Sequence, residues 1–221
     1  MIEFGLNFFL GKVMSEFILK LSNISKSFGG VKVWENGSYD VEKGRRHALI
    51  GPNGAGKTTL FNVISGIHDP EKGTVYFKGK DLRGVPSRKR IHRGLSRSFQ
   101  NIRLMPHLSV LENVMLGQHS RIDFVDMFKP LDFLSKSSGK GEAIETLKSF
   151  GIDLHKGQTV SSLPYGIRKK IEVVRALMAK PSLLLLDEPA AGLNTAETKT
   201  LRDFLKEVSR RGITLLLVDH D

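Results

Sequence analysis

The chain of 221 residues contains no cysteine. That excludes a disulfide framework and any thiolate metal site, and it agrees with a reducing compartment. No stretch approaches the about 20 consecutive apolar residues of a membrane-spanning helix. The apolar start, MIEFGLNFFLGKVMSEF, is interrupted by Glu3, Lys12 and Glu16, and it lacks the basic opening and small-residue cleavage site of a signal peptide. The chain is therefore expected to be soluble and cytoplasmic unless a partner holds it at a membrane. Residues 1–16 read as an N-terminal extension without order, and Met14 as a second candidate start. There is no internal repeat and no low-complexity tract. Negative charge is the scarcer sign: 23 Asp and Glu stand against 34 Lys and Arg, a net charge of +11. Such a balance suits nucleic acid or an anionic membrane surface, or, more plainly, a solvated surface with a few anion sites.

What remains is ordinary for a globular protein, with 40% hydrophobic and 26% charged residues. The length suits one large domain, or a domain with an attached subdomain, and can bury a sizeable core. Strand signals run through FILKLS (17–22), GSYDV (37–41), HALI (47–50), TVYF (74–77) and, more weakly, GLSRSFQ (94–100). They return at SLLLLD (182–187) and ITLLLVD (213–219). Leu60, Val63, Ile64 and Ile67 fall at helical spacing, as do Ile171, Val174 and Leu177, and Leu201, Phe204, Leu205 and Val208. Ser109 with Glu112, and Asn194 with Glu197, are capping-box pairs, although Asn194 serves equally as a plain cap. Apolar strands alternating with amphipathic helices predict an α/β fold with a mostly parallel sheet covered on both faces. Strand signals are absent from roughly 105 to 180. Residues 105–179 therefore read as an inserted helical subdomain, and residues 17–104 with 180–221 as the α/β core.

Two segments carry chemistry. GPNGAGKT fits the phosphate-loop pattern, follows a strand and opens a helix. A triphosphate crowds negative oxygens into a small volume, and backbone N–H groups can surround it only where side chains do not intrude, hence Gly51, Gly54 and Gly56. The helix N-terminus adds unpaired N–H groups and partial positive charge. Lys57 would meet the β- and γ-phosphates, and the Thr58 hydroxyl suits Mg2+. In LLLLDEP a buried strand ends in acids at the sheet's carboxyl edge, where nucleotides bind. Asp187 would hold Mg2+, directly or through water, and Glu188 would align or deprotonate the attacking water.

With these motifs in order, residues 17–221 resemble the ATP-binding cassette (ABC) ATPases. GPNGAGKTT stands as the Walker A loop, SFQN as the segment of the Q-loop glutamine, LPYGI as the signature, LLLLDEP as Walker B with the following glutamate, and AGLN as the D-loop. The resemblance implies ATP and Mg2+ as ligands and a P-loop ATPase core with an N-terminal antiparallel β subdomain. It implies that Gly51, Asn53, Gly54, Ala55, Gly56, Lys57, Thr58 and Thr59 bind the nucleotide, that Phe28 lies under the adenine, and that Gln100 contacts Mg2+ or water. It makes Thr58, Gln100 and Asp187 the metal residues, Glu188, Gln100 and His220 the catalytic ones, and Gly166 a contact to ATP held by a second cassette. LPYG with DEPAAGLN is similar to the cassettes of branched-chain amino-acid importers, with urea and other amide or amino-acid importers close by. The implied partners are a second cassette, identical or different, membrane permease subunits and, indirectly, a substrate-binding protein. The implied place is the inner face of the cell membrane.

The signature departs from the usual LSGGQ in two positions. Pro164 replaces the serine and Ile167 the glutamine, so two side-chain contacts across the dimer are lost while the backbone and the helix N-terminus (expected near Ile167) remain. A weaker trans site is expected. Of the cations that follow, Lys169 and Lys170 are expected to point to solvent. Phe124, Phe128 and Phe133 mark a candidate permease contact. The rival is a nucleic-acid-associated ABC ATPase of repair or translation, motivated by the charge and by SRKRIHRGLSRS (87–98). The chain carries neither the coiled-coil insertion of the repair cassettes nor the second cassette of the translation factors, and no specific nucleic-acid binding is expected. Because the sequence stops one residue after His220, that ring is expected to be poorly held, and the chain alone to bind Mg-ATP but hydrolyse it slowly.

Overall fold

Two four-stranded sheets organise the molecule, in a computed structural model that describes residues 17–98, 103–121, 136–153 and 158–219. In chain order the first elements are β1 (Phe17–Phe28), β2 (Val31–Glu42), β3 (Arg46–Ile50), α1 (Lys57–Ser65), β4 (Lys72–Phe77), β5 (Lys80–Asp81), α2 (Ser87–His92) and β6 (Leu95–Arg97). Then follow α3 (Val110–Met115), α4 (Lys136–Ser149), α5 (Tyr165–Leu177), β7 (Leu183–Asp187), α6 (Thr195–Arg210) and β8 (Thr214–Asp219).

The N-terminal sheet has the order β2-β1-β4-β5 and is antiparallel. Gly29 and Gly30, at φ of 54° and 85°, turn β1 into β2; this left-handed region is costly for residues with a Cβ. The second sheet has the order β3-β8-β7-β6 and is parallel throughout. Every residue of β7 is buried, as expected for a strand covered on both faces. Its side chains alternate with period two: Leu183 and Leu185 enter one apolar cluster, Leu184 and Leu186 the other. The first cluster holds Leu60, Phe61, Val63 and Ile64 of α1 against the antiparallel sheet. The second holds α3, α4, α5 and α6 through Val114, Leu147, Ile171 and Phe204. The fold is thus α/β, with α1 and the antiparallel sheet on one face of the parallel sheet and α3, α4, α5 and α6 on the opposite face.

Between 105 and 179 the regular elements among the described residues are helical, with one isolated bridge between Ser109 and Thr159. Both capping boxes form: Ser109 Oγ accepts from the Glu112 amide at 3.2 Å and Asn194 Oδ1 from the Glu197 amide at 2.9 Å, while each glutamate accepts from its cap's amide.

One expectation needs correction. Ile67 does not extend the buried stripe of α1; the helix stops at Gly66 (φ 76°) and Ile67 is half exposed. In the basic segment 87–98, Arg88, Lys89, His92 and Arg93 are exposed. The segment forms α2 and β6, and Arg90 is buried. Its guanidinium donates to Val63 O at 2.8 Å, Ile64 O at 2.7 Å, Val85 O at 2.8 Å and Leu82 O at 3.1 Å. Arg90 thereby takes up the Ile64 carbonyl at the end of α1 and shares that of Val63 with the Gly66 amide. Burial lowers its pKa from the usual arginine value, with Asp69 acting against the shift.

Candidate nucleotide site

Parallel strands bring their carboxyl ends to one edge. Ile50 pairs with Asp219, and Asp187 with Val218, so β3, β8 and β7 end level with one another. The glycine loop after β3, the acid pair after β7 and the end of β8 therefore share that edge. Two expected catalytic residues, Gln100 and His220, lie outside the described residues, as do residues 1–16 and Phe124, Phe128 and Phe133.

The loop is glycine-dependent at identifiable points. Gly54 and Gly56 have φ of 83° and 80°. A Cβ on Gly56 would stand 2.6 Å from Val33 Cγ1 and 2.7 Å from Trp34 Nε1, so β2 closes on the loop from outside. The Trp34 indole N–H donates to the Gly56 carbonyl at 2.9 Å, which also accepts the Leu60 amide. Sequence reading missed this brace, although Trp34 is the single tryptophan of the chain. Asn53, Gly54, Ala55 and Thr58 are exposed, Gly51, Gly56 and Thr59 half-buried, and Lys57 is only 7% exposed. The Lys57 ammonium donates to the carbonyls of Gly51 and Pro52, which keeps it inside the loop. No side chain caps the start of α1, so its first N–H groups and its positive end face the loop, an arrangement that favours an anion.

Asp187 is 3% exposed. Its Oδ2 accepts from Arg97 Nη2 at 2.8 Å, and its Oδ1 is buried with no hydrogen bond among the described residues. The other arm of Arg97 donates to Asn62 Oδ1 at 2.7 Å and Ser65 Oγ at 3.2 Å, both on α1. Its guanidinium carbon lies 5.6 Å from the Phe61 ring centroid. Arg97 is a second residue the sequence reading did not single out. A buried acceptor without a donor suits a cation, and the available oxygens, Asp187 Oδ1 and the exposed Thr58 hydroxyl, are hard donors. Among the described residues there is no cluster of three or more His, Cys, Asp or Glu able to hold a metal. Mg2+ usually takes one or two carboxylates plus substrate phosphates, a demand that one carboxylate oxygen and one hydroxyl suit. Glu188 is half-buried at φ 45°, a left-handed conformation unusual for a residue with a side chain and common where function fixes the backbone. It is held there by its amide on Val218 O and its carbonyl under the Ala191 amide, each at 3.1 Å.

Phe28, 43% exposed at the hairpin turn, presents its ring beside His68, edge-on at 5.4 Å between centroids. The helix of the signature segment starts at Tyr165, earlier than expected, and its cap Pro164 offers no side-chain hydrogen bond. Gly166 sits in the first turn, where a Cβ would lie 3.1 Å from Glu197 Oε1. Lys169 corrects the expectation of a solvated cation. It is 4% exposed, next to Glu172 at 3%. Both line a small cleft with Ser98 and Leu201, because helical spacing puts residues 169 and 172 on the face that α5 turns toward the sheet. Lys170 is half-buried, and burial lowers its pKa. Glu172 and Arg175 also hold the backbone of residue 103: the carboxylate accepts its amide at 3.4 Å and the guanidinium donates to its carbonyl at 2.7 Å.

The family model described as ABC transporter matches residues 34–191. The chain is 35% identical over 213 residues to the high-affinity branched-chain amino acid transport ATP-binding protein LivG of Salmonella typhimurium, covering 94% of this chain and 84% of that one. It is 34% identical over 205 residues to the ribose import ATP-binding protein RbsA of Caldanaerobacter subterraneus, covering 92% of this chain but 40% of that one. Among solved structures, the ADP conformation of an ATP-binding cassette of an ABC transporter superposes with a TM-score of 0.82 at 31% identity, covering 92% of this chain and 81% of that one.

Proposed function

This chain belongs to the ABC transporter family as one of its ATP-hydrolysing members, and from that premise we propose that it powers import of branched-chain amino acids through a separate membrane permease. The observation that carries the site reading is the level carboxyl edge. It places a glycine loop with a buried lysine, a buried aspartate with an open oxygen and a strained glutamate at the ends of neighbouring strands. The amino-acid reading is supported by the likeness to LivG, which this chain matches over 84% of its length, against 40% for RbsA. Ribose import is the second reading, and it rests on that partial likeness.

In the proposed mechanism the loop from Gly51 to Thr59 surrounds the phosphates with backbone N–H groups, and the start of α1 adds its dipole. Lys57 exchanges its carbonyl partners for phosphate oxygens. Thr58 and Asp187 would hold Mg2+, which neutralises charge on the β- and γ-phosphates when bound. Glu188 orients the attacking water and accepts its proton. Phe28 offers a face to the base. Gln100 and His220 complete the set by resemblance. Gly166, at the start of α5, faces ATP held by a second cassette. Among the described residues no helix is long and apolar enough to cross a membrane, and attachment at the inner face would come from the permease. Of the cations that motivated the nucleic-acid reading, Arg90 and Arg97 are committed to the interior, while Arg88, Lys89 and Arg93 stay exposed.

The test is ATP hydrolysis in proteoliposomes containing the cognate permease and binding protein. Leucine, isoleucine or valine is expected to stimulate turnover. Stimulation by ribose alone would replace the amino-acid reading, and specific nucleic-acid binding at physiological salt would replace both.

A further inference from the structure

We infer that Arg97 is a specificity-determining positioning residue: by holding Oδ2 of Asp187 it leaves this carboxylate a single oxygen to offer a divalent cation, and so favours Mg2+ over the larger Ca2+. The inference rests on the nucleotide site proposed above. β6 runs parallel to β7 with Arg97 opposite Leu185, two residues before Asp187. The guanidinium reaches the carboxylate at 2.8 Å with both side chains less than a tenth exposed. It cannot simply withdraw, since Nη1 is held by Asn62 and Ser65 and its flat face lies near Phe61. A guanidinium can bridge separate acceptors in this way because its N–H groups diverge from a rigid plane; an ammonium is a single point. The carboxylate is thereby fixed in rotation, with Oδ1 alone uncommitted among the described residues.

The two candidate cations differ in what they ask of such a ligand. Mg2+ demands a near-ideal octahedron of single oxygens. Ca2+ accepts more ligands and readily takes both oxygens of one carboxylate. With Arg97 in place Asp187 suits the first. Without it, the carboxylate turns freely and offers both oxygens.

The experiment measures nucleotide affinity by calorimetry with a non-hydrolysable ATP analogue in Mg2+ and in Ca2+, and takes the ratio of the two. Wild type is compared with Arg97→Met and Arg97→Lys, each checked for folding by thermal melting. Removing a buried positive charge alters attraction for both divalent ions alike, and general loosening of the site does the same, so both effects cancel in the ratio. Arg97→Met is expected to lower the Mg2+ to Ca2+ ratio by roughly tenfold, the low end of what loss of a ligand-orienting residue does to metal affinity. Arg97→Lys, which keeps the charge without the fork, is expected to lower it less and carries the test if the methionine variant does not fold. A ratio unchanged in the folded variants overturns the inference, as does an equal change for both ions. If wild type binds the analogue no better with either ion than in EDTA, the nucleotide-site reading itself fails.

Discussion

The carboxyl edge of the parallel sheet and the start of α5 are built in opposite ways. At the edge, Asp187 and Lys57 are buried and the Arg97 side chain nearly so, with Arg97 joining Asp187 to α1 and Lys57 held by the carbonyls of its own loop. At the start of α5, Pro164 is exposed and caps nothing with its side chain, and Gly166 offers only backbone. Phe28, on the β1–β2 turn, is likewise exposed. One region arrives organised by its own core. The other presents open surfaces, for which the proposed ligands are a nucleotide base at Phe28 and a second cassette's ATP at Gly166. In physical terms, preorganised polar groups suit chemistry, and uncommitted ones suit assembly.

Substitutions can break or sharpen this contrast. The largest effect is expected at the edge: Glu188→Gln should lower steady-state turnover by about 10²–10⁴ while leaving calorimetric ATP affinity nearly intact, as loss of a general base does. The support beneath the edge comes next. Leu185→Ala, in the fully buried β7, should cost about 2–5 kcal/mol in denaturant unfolding, whereas Val31→Ala on the exposed hairpin should stay within about 0.5 kcal/mol. In the open region, Phe28→Ala should weaken ATP binding by about 1–3 kcal/mol, the usual contribution of an aromatic stacked on a base, and leave binding of inorganic triphosphate unchanged. Equal losses for both ligands would place Phe28 in the fold rather than against the base. Smallest, Asn194→Ala should lower stability by about 1 kcal/mol through loss of the α6 cap, visible as a lower melting temperature.

The contrast also marks what the sequence made legible. Local patterns were readable: the glycine spacing of the loop, the apolar run of β7, and both capping boxes, each formed by residues three apart. The signature helix and the α1 stripe were readable in kind but misplaced at their ends, since Gly66 stops α1 before Ile67 and α5 begins at Tyr165. Long-range pairings were not readable. Arg97 meets Asp187 across 90 positions of sequence, and nothing local to SRSF distinguishes a buried guanidinium from a solvated one. Trp34 reaches Gly56 from another sheet. Lys169 was read as solvated from its charge, but its position on α5 overrode that preference.

The most direct test of the division between an organised edge and an open partner face is turnover per chain as a function of chain concentration, at saturating Mg-ATP. If Gly166 acts on ATP held by a second cassette, as proposed, nucleotide affinity stays constant with dilution while turnover per chain rises with concentration toward a plateau. Turnover per chain that is independent of concentration, with the chain monomeric throughout by light scattering, would contradict it.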